Sequence, residues 1–252
     1  MGLTIPYTRW PLVQPREDTI VKNSKNKPVN ANWIGLKYIA SSAPTLAEMD
    51  DWLDAIFYNS ISHIVMLTNF TEKRGWRVHK LADNYIPEIG SSFVFDNIIV
   101  YNNGQIVQDN IIYTELILTC QDVTKTVTHI FYQGWPDMNV PDDKDIPLVQ
   151  NMINYIVSVS GPVLVHCSAG LGRTGVFITA ALIKEFGHSK TEALDIVRTS
   201  RPSIESRIIG FNMVSNKIQE DWIDNITSTY PKDPVTFQLG ILPSGNIIRV
   251  SS

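Results

Sequence analysis

The chain has 252 residues, a formal net charge of -4, 44% apolar residues and 18% charged residues. That length suits one large domain or two small ones with a well-buried core, and the mild acidity argues against a broad nucleic-acid footprint. With only two cysteines, Cys120 and Cys167, a disulfide-built secreted scaffold is excluded and a reducing compartment is expected.

The first residues, MGLTIPYTRWPLVQP, lack the basic-then-apolar pattern of a signal peptide. Ile5 and Pro6 stand where Ser or Thr would complete a myristoylation signal. No uninterrupted apolar run approaches the ~20 residues of a membrane span. Residues 15–28 are polar, rich in Lys and Asn, and read as a surface loop; residues 29–42 read as extended. Thr45 with Glu48 forms a capping-box pattern and opens a helix over 45–59, with Leu46, Met49, Leu53 and Ile56 as its core face. Residues 61–67 predict a short buried strand, and 93–101, 111–119 and 123–132 predict β-structure. Helices follow at 147–159 and 174–186, with a short strand at 163–165 between them. Ser189 with Glu192 caps another helix ending near Arg201, where Pro202 stops it. A helix over 211–223 closes the domain. Segments 235–239 and 247–250 can pair around Pro243-Ser244-Gly245-Asn246 as a hairpin. The expected organisation is one catalytic domain, residues 1–226, and a tail, residues 227–252, packed on it. Strands mixed with helices indicate an α/β domain.

The chemistry concentrates in 163–175, VLVHCSAGLGRTG. It reads as a buried strand, a cysteine, a loop of small residues, and an arginine at the start of a helix. Ser168, Ala169, Gly170 and Gly172 let the backbone curl so that its amides form an anion nest. The helix adds its positive N-terminal end, and Arg173 adds a planar fork matched to two phosphate oxygens. The same field lowers the pKa of the Cys167 thiol and makes it a nucleophile. Thr174 is placed to hydrogen-bond the sulfur, and His166 to support the loop.

The string 166–175, HCSAGLGRTG, resembles the signature of the cysteine-dependent protein tyrosine phosphatases, in which five residues separate the Cys from the Arg as here. Gly134-Trp135-Pro136-Asp137 resembles the mobile acid loop of that family. The resemblance implies a single domain with a central mixed, highly twisted β-sheet flanked by helices. It implies hydrolysis of phosphotyrosine through a phosphocysteine intermediate, with Cys167 as nucleophile, Arg173 and the loop Ser168, Ala169, Gly170, Leu171 and Gly172 binding phosphate, and Asp137 as general acid and then base. It further implies that Trp135 anchors the acid loop, that Glu72 pairs with Arg173, and that Arg198 and Arg201 fix loops. No metal and no cofactor is expected. The expected partners are phosphotyrosine proteins, without nucleic acid, and the expected state is a monomer in the cytoplasm, its own cell's or another's.

The match departs from the family at three places. At the position of a water-orienting Gln the nearest counterpart is Glu205. Met138 replaces the usual Phe after the acid-loop Asp. The N-terminal Asn-Arg-Tyr motif, whose Tyr deepens the pocket, has no counterpart beyond Tyr7. Other readings weighed are activity on phosphoserine and phosphothreonine, on a phosphoinositide or on an RNA 5′-phosphate, or a phosphotyrosine-binding module. Against these stand the absence of lysines from the loop, the lack of a basic stripe, and the presence of Cys167, Asp137 and Arg173 together.

Overall fold

A computed structural model of the chain describes residue 5 and residues 7–201, 212–228, 237–242 and 247–251. Its centre is four parallel strands: β3 (Tyr38–Ser41), β11 (Val163–His166), β4 (His63–Met66) and β10 (Val123–Tyr132) lie side by side in that order. Antiparallel strands extend both edges, β2 (Pro28–Ile34) and β1 (Ile20–Lys22) beyond β3, and β9 (Ile111–Cys120), β8 (Ile99–Gln108) and β7 (Ser92–Val94) beyond β10.

Period-two alternation sends successive side chains of these strands into two cores. Val163, Val165, Val65, Tyr38, Ala40 and Ile130 face the side covered by α2 (Ile146–Ser158), α3 (Gly172–Phe186), α4 (Lys190–Ser200) and α5 (Lys217–Ser228). Leu164, Ile64, Met66, Ile39 and Phe131 face the side covered by α1 (Met49–Tyr58). Strand β11 is therefore buried on both faces, which is why its residues read as an unbroken apolar run.

Several boundaries differ from the sequence reading. The helix expected over 45–59 starts at Met49. Thr45 Oγ1 lies within donating distance of Glu48 Oε2 and the Tyr7 carbonyl, the helix has no side-chain cap, and residues 45–48 form a separate turn before it. Leu46 is consequently exposed, while Met49, Leu53 and Ile56 are buried as expected. The last helix begins at Lys217 because Asn216 Oδ1 accepts the Gln219 N–H and caps it there. It runs to Ser228, across the boundary expected at 226–227. The loop of 15–28 contains β1, 29–42 is two strands, and the β-structure of 93–101 divides between β7 and β8. The hairpin β5 (Thr71–Arg74) with β6 (Arg77–Lys80) was not anticipated. In the tail, β12 (Phe237–Ile241) pairs antiparallel with β13 (Ile247–Ser251), and Leu242 is buried in the helical core.

Helix α3 ends at Gly187 in the left-handed conformation, and α4 opens with the capping box read from the sequence: Ser189 Oγ accepts the Glu192 N–H, and Glu192 Oε2 accepts the Ser189 N–H. Replacing Ser189 by Ala is expected to cost about 1 kcal/mol of stability, read as a lower urea midpoint with an unchanged slope; an unchanged midpoint would show the box to be idle.

Candidate active site

The C-terminal ends of the four parallel strands converge, as the polar rims of open α/β sheets do. Ser42 follows β3, the β5–β6 hairpin follows β4, residues 133–137 follow β10, and Cys167 follows β11.

The loop from Cys167 to Leu171 has its carbonyls taken up by groups outside the ring. The Cys167 carbonyl meets His166 Nδ1, and that of Ser168 accepts the Ala43 N–H. Ala169 O accepts from Ser42 Oγ and from Arg201 Nη2, Gly170 O from Arg201 Nε, and Leu171 O from the N–H groups of Gly175 and Val214. Across a planar trans peptide the N–H points opposite to the C=O. Carbonyls fixed outward thus turn the amides of 168–172 inward, which is the nest the composition suggested. Gly170 is required: its φ is +72° and a Cβ there would lie 2.3 Å from the Ser41 carbonyl oxygen. Gly175 is required for another reason, since a Cβ would lie 2.5 Å from the Val214 backbone nitrogen and push away the segment that holds Leu171.

Two guanidinium groups flank this ring, both buried. Arg173 lines the cavity with Cys167. Arg201 lies behind the loop, where its hydrogen-bond partners among the described residues are neutral: Asn32 Oδ1 at 2.9 Å, Asn30 Oδ1 at 2.9 Å, Ser42 Oγ at 3.1 Å and the loop carbonyls. Burial lowers the Arg201 pKa to about 10, and the Cys167 charge acts against that fall. For Cys167 itself, burial pushes the thiol up. The Arg173 charge, the Thr174 hydroxyl and the N–H groups of Thr174 and Gly170 outweigh it, so the net shift is downward. Thr174 Oγ1 is buried without a partner of full hydrogen-bond geometry, and the sulfur is the group it serves.

His166 belongs to a chain of buried polar groups. Its Nδ1 lies 3.1 Å from the Cys167 carbonyl and must carry the proton, so its Nε2 accepts from the Tyr85 hydroxyl at 2.6 Å. The Tyr85 oxygen in turn accepts from His129 Nε2 at 2.9 Å. The pattern fixes both tautomers and leaves His129 Nδ1 bare, in agreement with its lack of a partner. Burial lowers His129 to about 3 and His166 to about 4, so both imidazoles are neutral.

Opposite the ring stands the segment Gly134 to Asn139. Trp135 is buried, edge-on to Trp222 at 5.3 Å, and its Nε1 donates to the Asn139 carbonyl, closing the loop on itself. Asn216 Nδ2 and Gln219 Nε2 donate to the carbonyls of Met138 and Asn139. Arg173 Nη2 donates to Asp137 Oδ1 at 2.8 Å and Nη1 to the Trp135 carbonyl at 3.2 Å. The ion pair of Arg173 therefore runs to Asp137, where the resemblance pointed to Glu72. Glu72 lines the same hollow, and its Oε1 accepts the Asp137 N–H at 3.4 Å. Met138, at φ 56°, is half exposed and lines the cavity.

The cavity between loop and acid segment measures about 390 Å³. Its floor is Cys167, Ser168, Ala169, Leu171, Gly172 and Arg173; its apolar walls are Trp10 to Val13, Leu81 and Met138. Ser215 and Gln219 close the remaining side. Four of these contributions escaped the sequence reading: the wall at 10–13, Leu81, Ser215 and Gln219. Trp10 donates from Nε1 to Ser168 Oγ at 3.1 Å, and Arg9 grips Asp83 at 2.6 Å. Arg9-Trp10 thus occupies the place in which an Arg-Tyr pair was sought, and a search for any aromatic after an arginine would have found it. Tyr7 points elsewhere and is exposed. Glu205 lies outside the described residues. Arg198 fixes the 213–220 segment through the Met213 carbonyl and Glu220.

A family profile for protein-tyrosine phosphatases matches residues 6–223. The chain belongs to that family. It is 31% identical to tyrosine-protein phosphatase 1 of Caenorhabditis elegans over 194 residues, 74% of this chain and 18% of that protein. It is 32% identical to tyrosine-protein phosphatase 1 of Dictyostelium discoideum over 189 residues, 64% of this chain and 35% of that one. The phosphatase-family chain thus spans about a third or less of these relatives. The catalytic domain of human protein tyrosine phosphatase non-receptor type 18 superposes with a TM-score of 0.75 at 22% identity, covering 88% of this chain and 82% of that one, and so shares the fold.

The neutral histidines make stability depend on pH. His63 is also lowered to about 4, by burial first and then by Lys37. In the unfolded chain all three titrate near 6.5. Between about 6.5 and 4 the unfolded state therefore binds more protons, and stability falls as pH falls. A denaturant midpoint that declines across this window is expected, with a shallower decline in His129→Gln; a flat midpoint would contradict the neutral chain.

Proposed function

We propose that this chain hydrolyses phosphotyrosine in proteins through a phosphocysteine intermediate. The reading is carried by one observation: Cys167, with its thiol pKa lowered, lines a cavity of about 390 Å³ together with Arg173 and the apolar side chains of Trp10, Leu12, Val13 and Met138. A phosphate dianion fits the ring and Arg173. The phenyl ring then lies among Trp10, Leu12, Val13 and Met138, a contact that the shorter phosphoserine and phosphothreonine do not reach. Family membership supports the same assignment. One solved protein of this fold, PTPN18, was captured in complex with HER2-pY1248 phosphopeptides.

In the first step the Cys167 thiolate attacks phosphorus, the P–O bond to tyrosine breaks, and the phenolic oxygen takes a proton from Asp137. In the second step Asp137 accepts a proton from water, whose oxygen attacks phosphorus. The S–P bond breaks, and inorganic phosphate leaves with the thiolate restored. This is covalent catalysis by an activated nucleophile with preorganised donors around the phosphoryl oxygens. The substrate phosphate takes over the Arg173 fork from Asp137. The resemblance gave the water-orienting role to Glu205, which lies outside the described residues; among the described residues Ser215 and Gln219 line the cavity and can orient the water.

Cys167→Ser is expected to abolish turnover of p-nitrophenyl phosphate and of phosphotyrosine peptides. Iodoacetate should alkylate Cys167 with a rate that inflects well below the ~8.5 of a free thiol; an inflection at or above that value would refute the activated sulfur. A Cys167→Ser protein that still turned over would refute the mechanism.

Asp137→Ala is expected to lower kcat about 10²- to 10⁴-fold. Peptide affinity should hold or improve, since the substitution also frees Arg173 from its carboxylate. Comparable loss of kcat and of affinity would show that Asp137 is not the acid. Equal kcat/KM on matched phosphotyrosine and phosphothreonine peptides would remove the tyrosine specificity.

A further inference from the structure

His129 Nδ1 is buried and has no hydrogen-bond partner among the described residues. Buried polar groups are nearly always paired, so such an atom calls for a reason. His129 lies on β10, and its ring packs against the core beneath α1, edge-on to Tyr85 at 5.5 Å and to Phe131 at 6.5 Å. Its other nitrogen, Nε2, lies 2.9 Å from the Tyr85 hydroxyl, which lies 2.6 Å from His166 Nε2. His166 Nδ1 lies 3.1 Å from the Cys167 carbonyl oxygen. All three side chains are fully buried, and both imidazoles are neutral.

The three groups admit two proton arrangements with the same heavy-atom distances. In the first, His129 Nε2–H donates to Tyr85, the Tyr85 hydroxyl donates to His166 Nε2, and His166 Nδ1–H donates to the Cys167 carbonyl. In the second every bond is reversed: His166 Nε2–H donates to Tyr85, Tyr85 donates to His129 Nε2, and the His129 proton sits on Nδ1. The two arrangements differ at their ends. The second sets the lone pair of His166 Nδ1 against the Cys167 carbonyl oxygen and buries an N–H of His129 that has no acceptor. The first leaves only a lone pair at that atom. A buried N–H without an acceptor is the costlier of the two defects. The missing partner at one end therefore selects the direction of all three bonds, and the carbonyl at the other end receives its donor. The remaining acceptor near the Tyr85 hydroxyl is Met66 Sδ at 3.8 Å, a weak one.

We propose that His129 is a positioning residue for the chemistry at Cys167: by keeping its proton on Nε2 it points the hydrogen-bond chain toward the Cys167 carbonyl and so fixes the peptide whose N–H, that of Ser168, turns into the phosphate ring. It acts through Tyr85 and His166. The carbonyl held outward turns the next amide inward because the peptide is planar and trans. Each bond in a buried chain also polarises the next, so the donor at His129 strengthens the bond at Cys167. The proposal rests on the phosphocysteine reading for the use made of the sulfur, and its readouts do not require turnover of phosphotyrosine.

Nitrogen-15 shifts of the two rings at neutral pH read the tautomers directly in the full chain. The proton is expected on Nδ1 of His166 and on Nε2 of His129; the opposite tautomer at either ring would overturn the proposal. Two substitutions then separate donation from packing. His129→Gln retains an N–H donor for Tyr85, and His129→Leu does not. In the leucine variant the pH inflection of Cys167 alkylation by iodoacetate should move upward, and kcat/KM on p-nitrophenyl phosphate should fall about fivefold, the worth of one buried hydrogen bond. The glutamine variant should keep the inflection of the wild type. An inflection that leucine leaves in place, or that glutamine shifts as far as leucine does, would refute the relay. In a Tyr85→Phe background the leucine substitution should shift the inflection no further, because the link is already cut; an additive shift would mean that His129 acts by packing alone. If the leucine variant does not fold, the tautomers of the wild type decide the matter. If no phosphate ester is turned over, the catalytic reading fails separately, while alkylation and tautomers still test the relay.

Discussion

A buried thiol whose pKa is drawn downward is the constraint around which this site is organised. An uncompensated buried charge is among the most expensive things a fold can contain, and here burial alone would drive Cys167 toward the neutral thiol. Arg173, the Thr174 hydroxyl and the N–H groups of Thr174 and Gly170 reverse that tendency, and the Cys167 charge in turn works against the fall of the Arg201 pKa behind the loop. The partners of Arg201 explain how. Asn30, Asn32 and Ser42 hold its guanidinium by neutral acceptors. They satisfy its hydrogen bonds without cancelling its charge, so its field remains available to the sulfur. An aspartate at either asparagine position would fix the same arginine and annul its electrostatic use. The neutral His129–Tyr85–His166 chain follows the same economy: it orients the Cys167 carbonyl without adding charge beside the sulfur.

The catalytic cavity joins segments that share no local sequence. The floor comes from one loop, Asp137 from another, one wall from residues 10–13 and the closing side from residues 215 and 219. Contacts between these segments are themselves hydrogen-bonded: Ser168 Oγ receives from Trp10 and donates to Leu81, while Asn216 and Gln219 hold the acid loop by its carbonyls. The β5–β6 ribbon adjoins this arrangement through Glu72, and Leu81, just after it, lines the cavity.

What the sequence disclosed follows from how local each device is. The strand–loop–helix of 163–175 carries its chemistry in consecutive residues, and so did the acid loop at 134–137 and the capping box at Ser189. The burial of β11 was visible as an apolar run, and a central mixed sheet followed from the family resemblance. The hairpin at 71–80 was hidden because its strands are charged and exposed, with no apolar alternation to mark them. Trp10 was hidden because a tyrosine was sought. Gln219 and Ser215 were hidden because the water-side residue was sought beside Arg201, whereas Asn216 caps the final helix further along the chain and brings that turn to the cavity. The pairing of Arg173 with Asp137 is a matter of side-chain reach, which no spacing rule contains.

The position of β11 has a consequence for how the chain acquires its shape. This strand lies between β3 and β4, yet it follows both by roughly a hundred residues or more in sequence. Until residue 166 emerges during synthesis, β3 and β4 can only wait on either side of a slot one strand wide, about 9–10 Å across, with their inner edges unpaired and open to intermolecular pairing. Inserting β11 closes that slot and delivers the cysteine in the same event. The nascent polypeptide thus carries its most aggregation-prone surface for as long as it lacks its reactive centre, and gains protection and chemistry together.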